Sequence, residues 1–74
     1  MGLAELRRTL EAEGVDPSRY RINEQPNNNT MCIKKQGKIW LVFYFERGER
    51  FDLQRFSSEA AACEYFANRV LERP

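Results

Sequence analysis

Histidine is absent from the sequence, and cysteine occurs only twice, at Cys32 and Cys63. Because histidine is the commonest general base and metal ligand, its absence removes the usual serine and cysteine protease pairings. Two cysteines without a histidine also fall short of the four ligands of a structural zinc site. The sequence therefore predicts no catalytic residues, no metal site and no cofactor, and we expect a protein that is not an enzyme.

Long hydrophobic runs and a strong charge of one sign are also missing. No apolar stretch is long enough to span a membrane and no secretory signal is visible, so we expect a cytoplasmic protein with reduced thiols. A disulfide between Cys32 and Cys63 stays conceivable if the last helix lies on the second strand. The net charge of +1 argues against strong electrostatic capture of nucleic acid or of an anionic membrane.

What the sequence does contain is an ordinary globular composition, with 42% hydrophobic and 31% charged residues. This length predicts a single domain over residues 1–74. One core in a chain of this size rarely supplies more than about 3–5 kcal/mol of stability. Extra stabilisation from a partner or from self-association would therefore be unsurprising.

The segment 38–45, KIWLVFYF, holds the longest succession of large apolar side chains. It is short, β-branched and aromatic, and glycine turns flank it, so it predicts a central strand. In a small chain the helices can cover only one sheet face, so the other is expected to present apolar surface to another molecule. Alternation divides the side chains between the two faces, with Trp40, Val42 and Tyr44 on one and Ile39, Leu41, Phe43 and Phe45 on the other.

Helical periodicity appears at both ends of the chain. Residues 2–13 carry a leucine stripe that predicts an amphipathic helix ending at Gly14. Ser57 is the predicted N-cap of a second helix, after which residues 73–74 are expected to fray. The apolar stripe of this second helix comprises Ala62, Cys63, Phe66, Ala67 and Val70.

Alternating patterns predict three further strands, over residues 20–22, 30–35 and 50–56. The polar segment 24–29 predicts a loop, and Gln36-Gly37 predicts a two-residue hairpin turn. The alternation further places Met31, Ile33, Phe51 and Leu53 toward the core, although the reverse phase stays open for the second strand. The predicted fold class is α+β: a three- or four-stranded antiparallel meander with an N-terminal and a C-terminal helix packed on one face (α-β-β-β-β-α).

The outer apolar set of the central strand predicts an interaction surface. Aromatic and arginine side chains dominate protein interfaces, and charged residues at a neighbouring turn supply anchors at the rim. A homodimer seam is a nearly equal alternative for the same patch. The predicted partner-binding residues are Leu41, Phe43, Phe45, Glu46, Arg47 and Glu49.

A single-stranded nucleic-acid module is the second class of function that we consider. A sheet with exposed aromatics and flanking cations can stack bases and hold phosphates. The missing glycine-aromatic RNA-binding signature and a sequence pI of about 7.8 make nucleic acid the less favoured partner. The cations concerned are Arg19, Arg21, Lys34, Lys35 and Lys38.

Residues 38–48, followed by Phe56 and by residues 59–66, resemble a family of very small bacterial proteins, the immunity partners of secreted polymorphic toxins. The shared features are a tryptophan strand, a Glu-Arg-Gly turn, a Phe-led strand and a helix with an alanine-cysteine start. The resemblance extends over about residues 20–71.

This resemblance implies a cytosolic, non-catalytic protein that binds and blocks a toxin domain. Leu41 and Phe45 depart from the pattern, since polar residues are expected at these positions. The departure makes the predicted outer face more apolar, and it leaves a dimer as an alternative to a toxin complex.

Overall fold

Two helices and four strands follow one another in the computed structural model, which describes residues 1–72. The predicted fraying of residues 73–74 lies outside this range. None of the helices in the described range is long and apolar enough to cross a membrane. The elements are α1 (Leu3–Ala12), a short 3-10 helix (Pro17–Arg19), β1 (Tyr20–Ile22), β2 (Thr30–Gln36), β3 (Ile39–Glu46), β4 (Glu49–Phe56) and α2 (Glu59–Val70).

The four strands form one open, mixed sheet in the order β1-β2-β3-β4. Strands β2, β3 and β4 pair antiparallel as predicted, but β1 pairs parallel with β2, so the prediction of a wholly antiparallel sheet is wrong. The loop 23–29 carries the chain back past the short β1 before β2 begins. Asn23 and Asn29, at its two ends, both adopt positive φ angles, of 55° and 60°.

Backbone hydrogen bonds hold both ends of this loop to the sheet. The Asn23 N–H donates to the carbonyl of Ile33 at 2.7 Å, and the Asn29 N–H donates to the carbonyl of Phe45 at 2.8 Å. Asparagine tolerates the left-handed conformation better than other residues with a side chain. The asparagines therefore allow the chain to change direction twice, as it must for β2 to run parallel to β1.

Both antiparallel connections are two-residue turns. Gln36 pairs with Ile39, so the first turn is Gly37-Lys38 and the predicted Gln36-Gly37 turn is one residue too early. In the second turn Arg47 and Gly48 have φ angles of 51° and 78°, as a type I′ hairpin requires. This tight turn fixes the register of β3 against β4.

The two helices begin close to each other. Ser58, not the predicted Ser57, is the N-cap of α2, and its hydroxyl accepts from the N–H of Ala61 at 3.1 Å. No side chain of its own segment caps α1. Instead, Glu59 accepts from the N–H of Leu3 at 3.1 Å, so α2 supplies the cap that α1 lacks.

One face of the sheet, here called the helix face, carries the main core. As predicted, α1 and α2 both pack on this face, and Met31 and Ile33 point toward it. Leu6 and Phe66, one from each helix, are completely buried. The buried cluster consists of Leu6, Leu10, Val15, Tyr20, Ile22, Ile33, Trp40, Val42, Ala62, Cys63, Phe66, Ala67 and Val70.

A β-bulge interrupts β4 opposite Phe43. Asp52 adopts a φ of 54°, and the strand gains one residue relative to β3. The alternation of β4 is thereby shifted, so Phe51 and Leu53 do not both face the core as predicted. Leu53 packs on the opposite face of the sheet, and Phe51 is 42% exposed.

Candidate functional site

The face opposite the helices, here called the outer face, is closed at its centre. Leu41 is 4% exposed and Phe43 is completely buried, so the expectation that both present open apolar surface is wrong. The guanidinium of Arg50 lies 4.8 Å from the centre of the Phe43 ring, and the bulge turns Leu53 onto the same cluster. Side chains of β4 therefore bury residues that no helix covers.

The loop 23–29 closes the β2 side of the outer face. The Thr30 hydroxyl donates to the carbonyl of Asn27 and lies 3.4 Å from the sulfur of Cys32. Burial raises the pKa of the Cys32 thiol, although its hydrogen bonds to Thr30 and Asn27 act in the opposite direction. Cys32 is therefore a protonated packing residue at neutral pH.

Cys63 lies on the other side of the sheet. It belongs to the helix-face core, whereas Cys32 belongs to the outer cluster, and both thiols are free. Burial, followed by the charge of Glu59, raises the pKa of the Cys63 thiol. The sheet separates the two cysteines, so the conceivable disulfide does not form.

The remaining predicted contact residues lie where β3 meets β4. Phe45 and Glu46 are half-buried, while Arg47 and Glu49 are exposed. The structure thus divides the predicted set, since four of its members reach solvent and two, Leu41 and Phe43, do not. We call the accessible region the hairpin end and define it as Tyr44, Phe45, Glu46, Arg47, Glu49 and Phe51.

The hairpin end also carries aromatic surface on the helix face. Met31, Tyr44 and Phe51 lie side by side across three strands. Met31 and Tyr44 are half-buried, and the Tyr44 hydroxyl donates to the Asn29 side chain at 3.3 Å. Phe51 is the one large hydrophobic side chain in residues 1–72 that is exposed.

Sequence reasoning missed the accessibility of Tyr44 and Phe51 because regular alternation places both against the helices. Both do lie on the helix face, but at the hairpin end, outside the cluster that the helices bury. The bulge at Asp52 instead moves Leu53 to the outer face. An ion pair between Asp52 and Arg69 of α2, at 3.6 Å, then forms at the edge of the helix-face core, next to Phe51. An aspartate inside an otherwise alternating strand is the only sequence signal of this irregularity.

The predicted basic residues do not form one cluster. Arg21 and Lys34 lie on the outer face, next to Cys32 and Leu41 in the sheet register. Lys35 lies instead 6.0 Å from the ring of Trp40, which belongs to the helix-face core. Arg19 ends the 3-10 helix before β1.

Two residues of β4 join the outer-face cations. Arg55 pairs with Leu41 in the sheet, on the side opposite Lys34, and Arg50 pairs with Phe45. Sequence reasoning did not include these two arginines in the basic set. The outer-face cations are therefore Arg21, Lys34, Arg50 and Arg55.

Residues 1–72 contain no group of histidine, cysteine and carboxylate side chains that could hold a metal ion. The same residues enclose no pocket. Two surfaces of the described chain combine accessible predicted residues, the hairpin end and the outer-face cations.

The chain matches no protein-family model, no curated protein and no solved structure. The resemblance to immunity proteins therefore stays a prediction, and any function must be argued from these two surfaces.

Proposed function

We propose that this chain is a non-catalytic binding protein of the bacterial cytoplasm that neutralises a toxin domain by docking on it. In this proposal the hairpin end is the contact surface. The observation that carries the proposal is that aromatic side chains reach solvent on both sides of one hairpin. Phe45 lies on the outer face, and Tyr44 and Phe51 lie on the helix face.

The composition of the hairpin end is that of a protein interface. Aromatic and arginine residues are enriched in such interfaces, and they supply most binding hot spots. Arg47 stands at the tip, and Phe51 lies on β4 opposite Tyr44, two residue pairs from the turn. A two-residue turn holds both with little freedom, which lowers the entropic cost of binding.

The charges at the tip add specificity to this apolar contact. Glu46 pairs with Glu49 across the hairpin, and Arg47 lies between them in the turn. Charged groups at the rim of an interface orient the partner and exclude wrong partners. An inhibitor needs this combination, because it must fit one toxin surface and occupy or distort its active site.

The test uses the C-terminal domain of the secreted protein that the neighbouring gene is expected to encode. We expect this domain to bind the wild-type chain and to lose its toxicity when the two are co-expressed. Phe51→Ser should weaken binding at least tenfold, since removing a hot spot costs about 2 kcal/mol or more. Arg47→Asn should weaken binding by a smaller factor. This variant keeps the turn intact, because asparagine tolerates the left-handed conformation.

The control for these variants is Arg8→Gln, which changes an exposed charge on α1. All three variants should unfold at nearly the wild-type urea concentration, because none of the replaced side chains is buried. Unchanged affinity in Phe51→Ser and Arg47→Asn would show that the hairpin end is not the contact surface.

A homodimer is the alternative use of the same surface. The row Met31–Tyr44–Phe51 presents partly exposed apolar side chains that a second copy can cover. Sedimentation equilibrium at increasing protein concentration separates the two possibilities. A dimer that Phe51→Ser dissociates would replace the toxin complex as the explanation of the hairpin end.

A further inference from the structure

The strands present cations but no carboxylate on the outer face. Lys34 and Arg55 lie on either side of Leu41 in the sheet register, and Arg50 lies beside Phe45. The carboxylate of β4, Asp52, contacts Arg69 of α2 instead. The charged strand residues of the outer face are therefore all cations.

One acidic side chain reaches this face from the loop 23–29. Glu24 lies 3.9 Å from the guanidinium of Arg21, and both side chains are partly exposed. No carboxylate in residues 1–72 lies within ion-pair distance of Lys34, Arg50 or Arg55. Because the net charge of the whole chain is only +1, this concentration of cations leaves the remainder of the chain net negative.

We propose that the toxin-domain surface that docks on the outer face is acidic. This inference rests on the proposed function and deepens it, because it names the chemistry of the partner. The outer face is continuous with the hairpin end, since Phe45 belongs to the hairpin end and pairs with Arg50. A partner that covers Phe45 therefore meets Arg50. One that extends along β3 to Leu41 also meets Lys34 and Arg55. Carboxylates are the groups that complement these cations.

The structure favours an acidic protein surface over a nucleic acid. Single-stranded nucleic acids stack on exposed aromatic rings, but Phe43 is completely buried and Leu41 is 4% exposed. The partly buried side chains of Ile39, Phe45 and Leu53 instead leave apolar surface around the buried centre, alongside the cations. Apolar surface combined with arginine is typical of a protein interface.

The experiment measures the association rate of the same neighbour-encoded domain by stopped flow at low and high salt. Steered association weakens as salt screens the charges, so we expect the wild-type rate to fall about tenfold between 25 and 250 mM NaCl. Lys34→Gln combined with Arg55→Gln should slow association roughly fivefold at low salt and flatten the salt dependence. The dissociation rate should change less.

The matched control is Arg7→Gln combined with Arg8→Gln, which removes the same charge from exposed positions on α1. Its association rate should stay within about twofold of wild type. Urea unfolding checks that each double variant is folded, and Arg55→Gln alone replaces the first variant if Lys34→Gln disturbs the packing on Leu41. Equal slowing in both double variants would overturn the inference, because net charge and not the outer face would then be responsible.

The remaining outcomes separate the inference from the proposed function. Binding that is fast and independent of salt overturns the acidic surface while the inhibitor function stands. Failure of the domain to bind at all overturns the proposed function and, with it, the inference. Competition by a dT20 oligonucleotide that requires Lys34 and Arg55 overturns the protein partner in favour of nucleic acid.

Discussion

The two faces of the sheet are both buried at their centres, but different kinds of structure cover them. On the helix face, α1 and α2 contribute whole apolar stripes, and Phe66 is completely buried among them. On the outer face Phe43 is equally buried, yet single side chains such as Arg50 and Leu53 provide its cover. The burial of the helix face therefore depends on packed helices, whereas the burial of the outer face depends on the conformations of individual side chains.

The largest expected effects compare Phe66→Ala with Phe43→Ala. Phe66→Ala should cost about 3–5 kcal/mol, because two helices cannot close around the cavity, and most of the chain would unfold. Phe43→Ala should cost less, about 3 kcal/mol, because the side chains above it can collapse into the space. Urea unfolding followed by the fluorescence of Trp40 measures both values.

If the two substitutions lower the free energy of unfolding equally, the outer cluster is as rigid as the helix-face core and the comparison fails.

The burial of Phe43 also affects how binding experiments are interpreted. A polar residue at position 43 would act through folding, so loss of binding in Phe43→Asp would say nothing about contact with a partner.

An intermediate effect is expected in the loop that closes one side of the outer face. Asn29 has a φ of 60°, and its side chain accepts from the hydroxyl of Tyr44. Asn29→Ala should destabilise the chain by about 1–2 kcal/mol, because alanine is strained in the left-handed conformation. Asn29→Gly relieves that strain and should cost clearly less than alanine, and Tyr44→Phe isolates the hydrogen bond.

Thermal unfolding of these three variants resolves the contributions, since 1 kcal/mol corresponds to about 4–8 °C in a domain of this size. Equal losses in Asn29→Ala and Asn29→Gly would show that backbone conformation does not matter at this position.

The smallest expected effect concerns Arg50, whose guanidinium lies over Phe43. Arg50→Ala should cost about 0.5–1 kcal/mol, the usual contribution of a partly exposed cation–π contact. Arg55→Ala, at an exposed position of the same strand, should be nearly neutral. A neutral Arg50→Ala would mean that Leu53 alone keeps water from the Phe43 ring.

Periodicity accounted for much of the fold. The leucine stripe of α1, the alternation of β1 and β3 and the apolar face of α2 depend on local sequence, so these elements and the sides that form the helix-face core could be predicted. The direction of β1 could not, because it depends on two asparagines that adopt positive φ and bond to Ile33 and Phe45. Such a reversal is a tertiary property.

The accessible surface was harder to predict than the core. Alternation places Phe43 on the outer face and Phe51 on the helix face, as the structure does, yet Phe43 is buried under Arg50 and Leu53 while Phe51 is 42% exposed. Arg47 lies in the turn as predicted, since a type I′ turn holds it out of the sheet, whereas Glu49 is the first residue of β4 and pairs with Glu46. Alternation predicts which face of the sheet a side chain lies on. It does not predict which side chains of the neighbouring strands cover it.

The contact between Glu59 and the N–H of Leu3 links residues that are far apart in the order of synthesis. Leu3 is synthesised by the ribosome 56 residues before Glu59, so the cap of α1 forms only after the start of α2 has been made. The first helix, in which only Leu6 and Leu10 are fully buried, therefore gains this contact late in the order of synthesis.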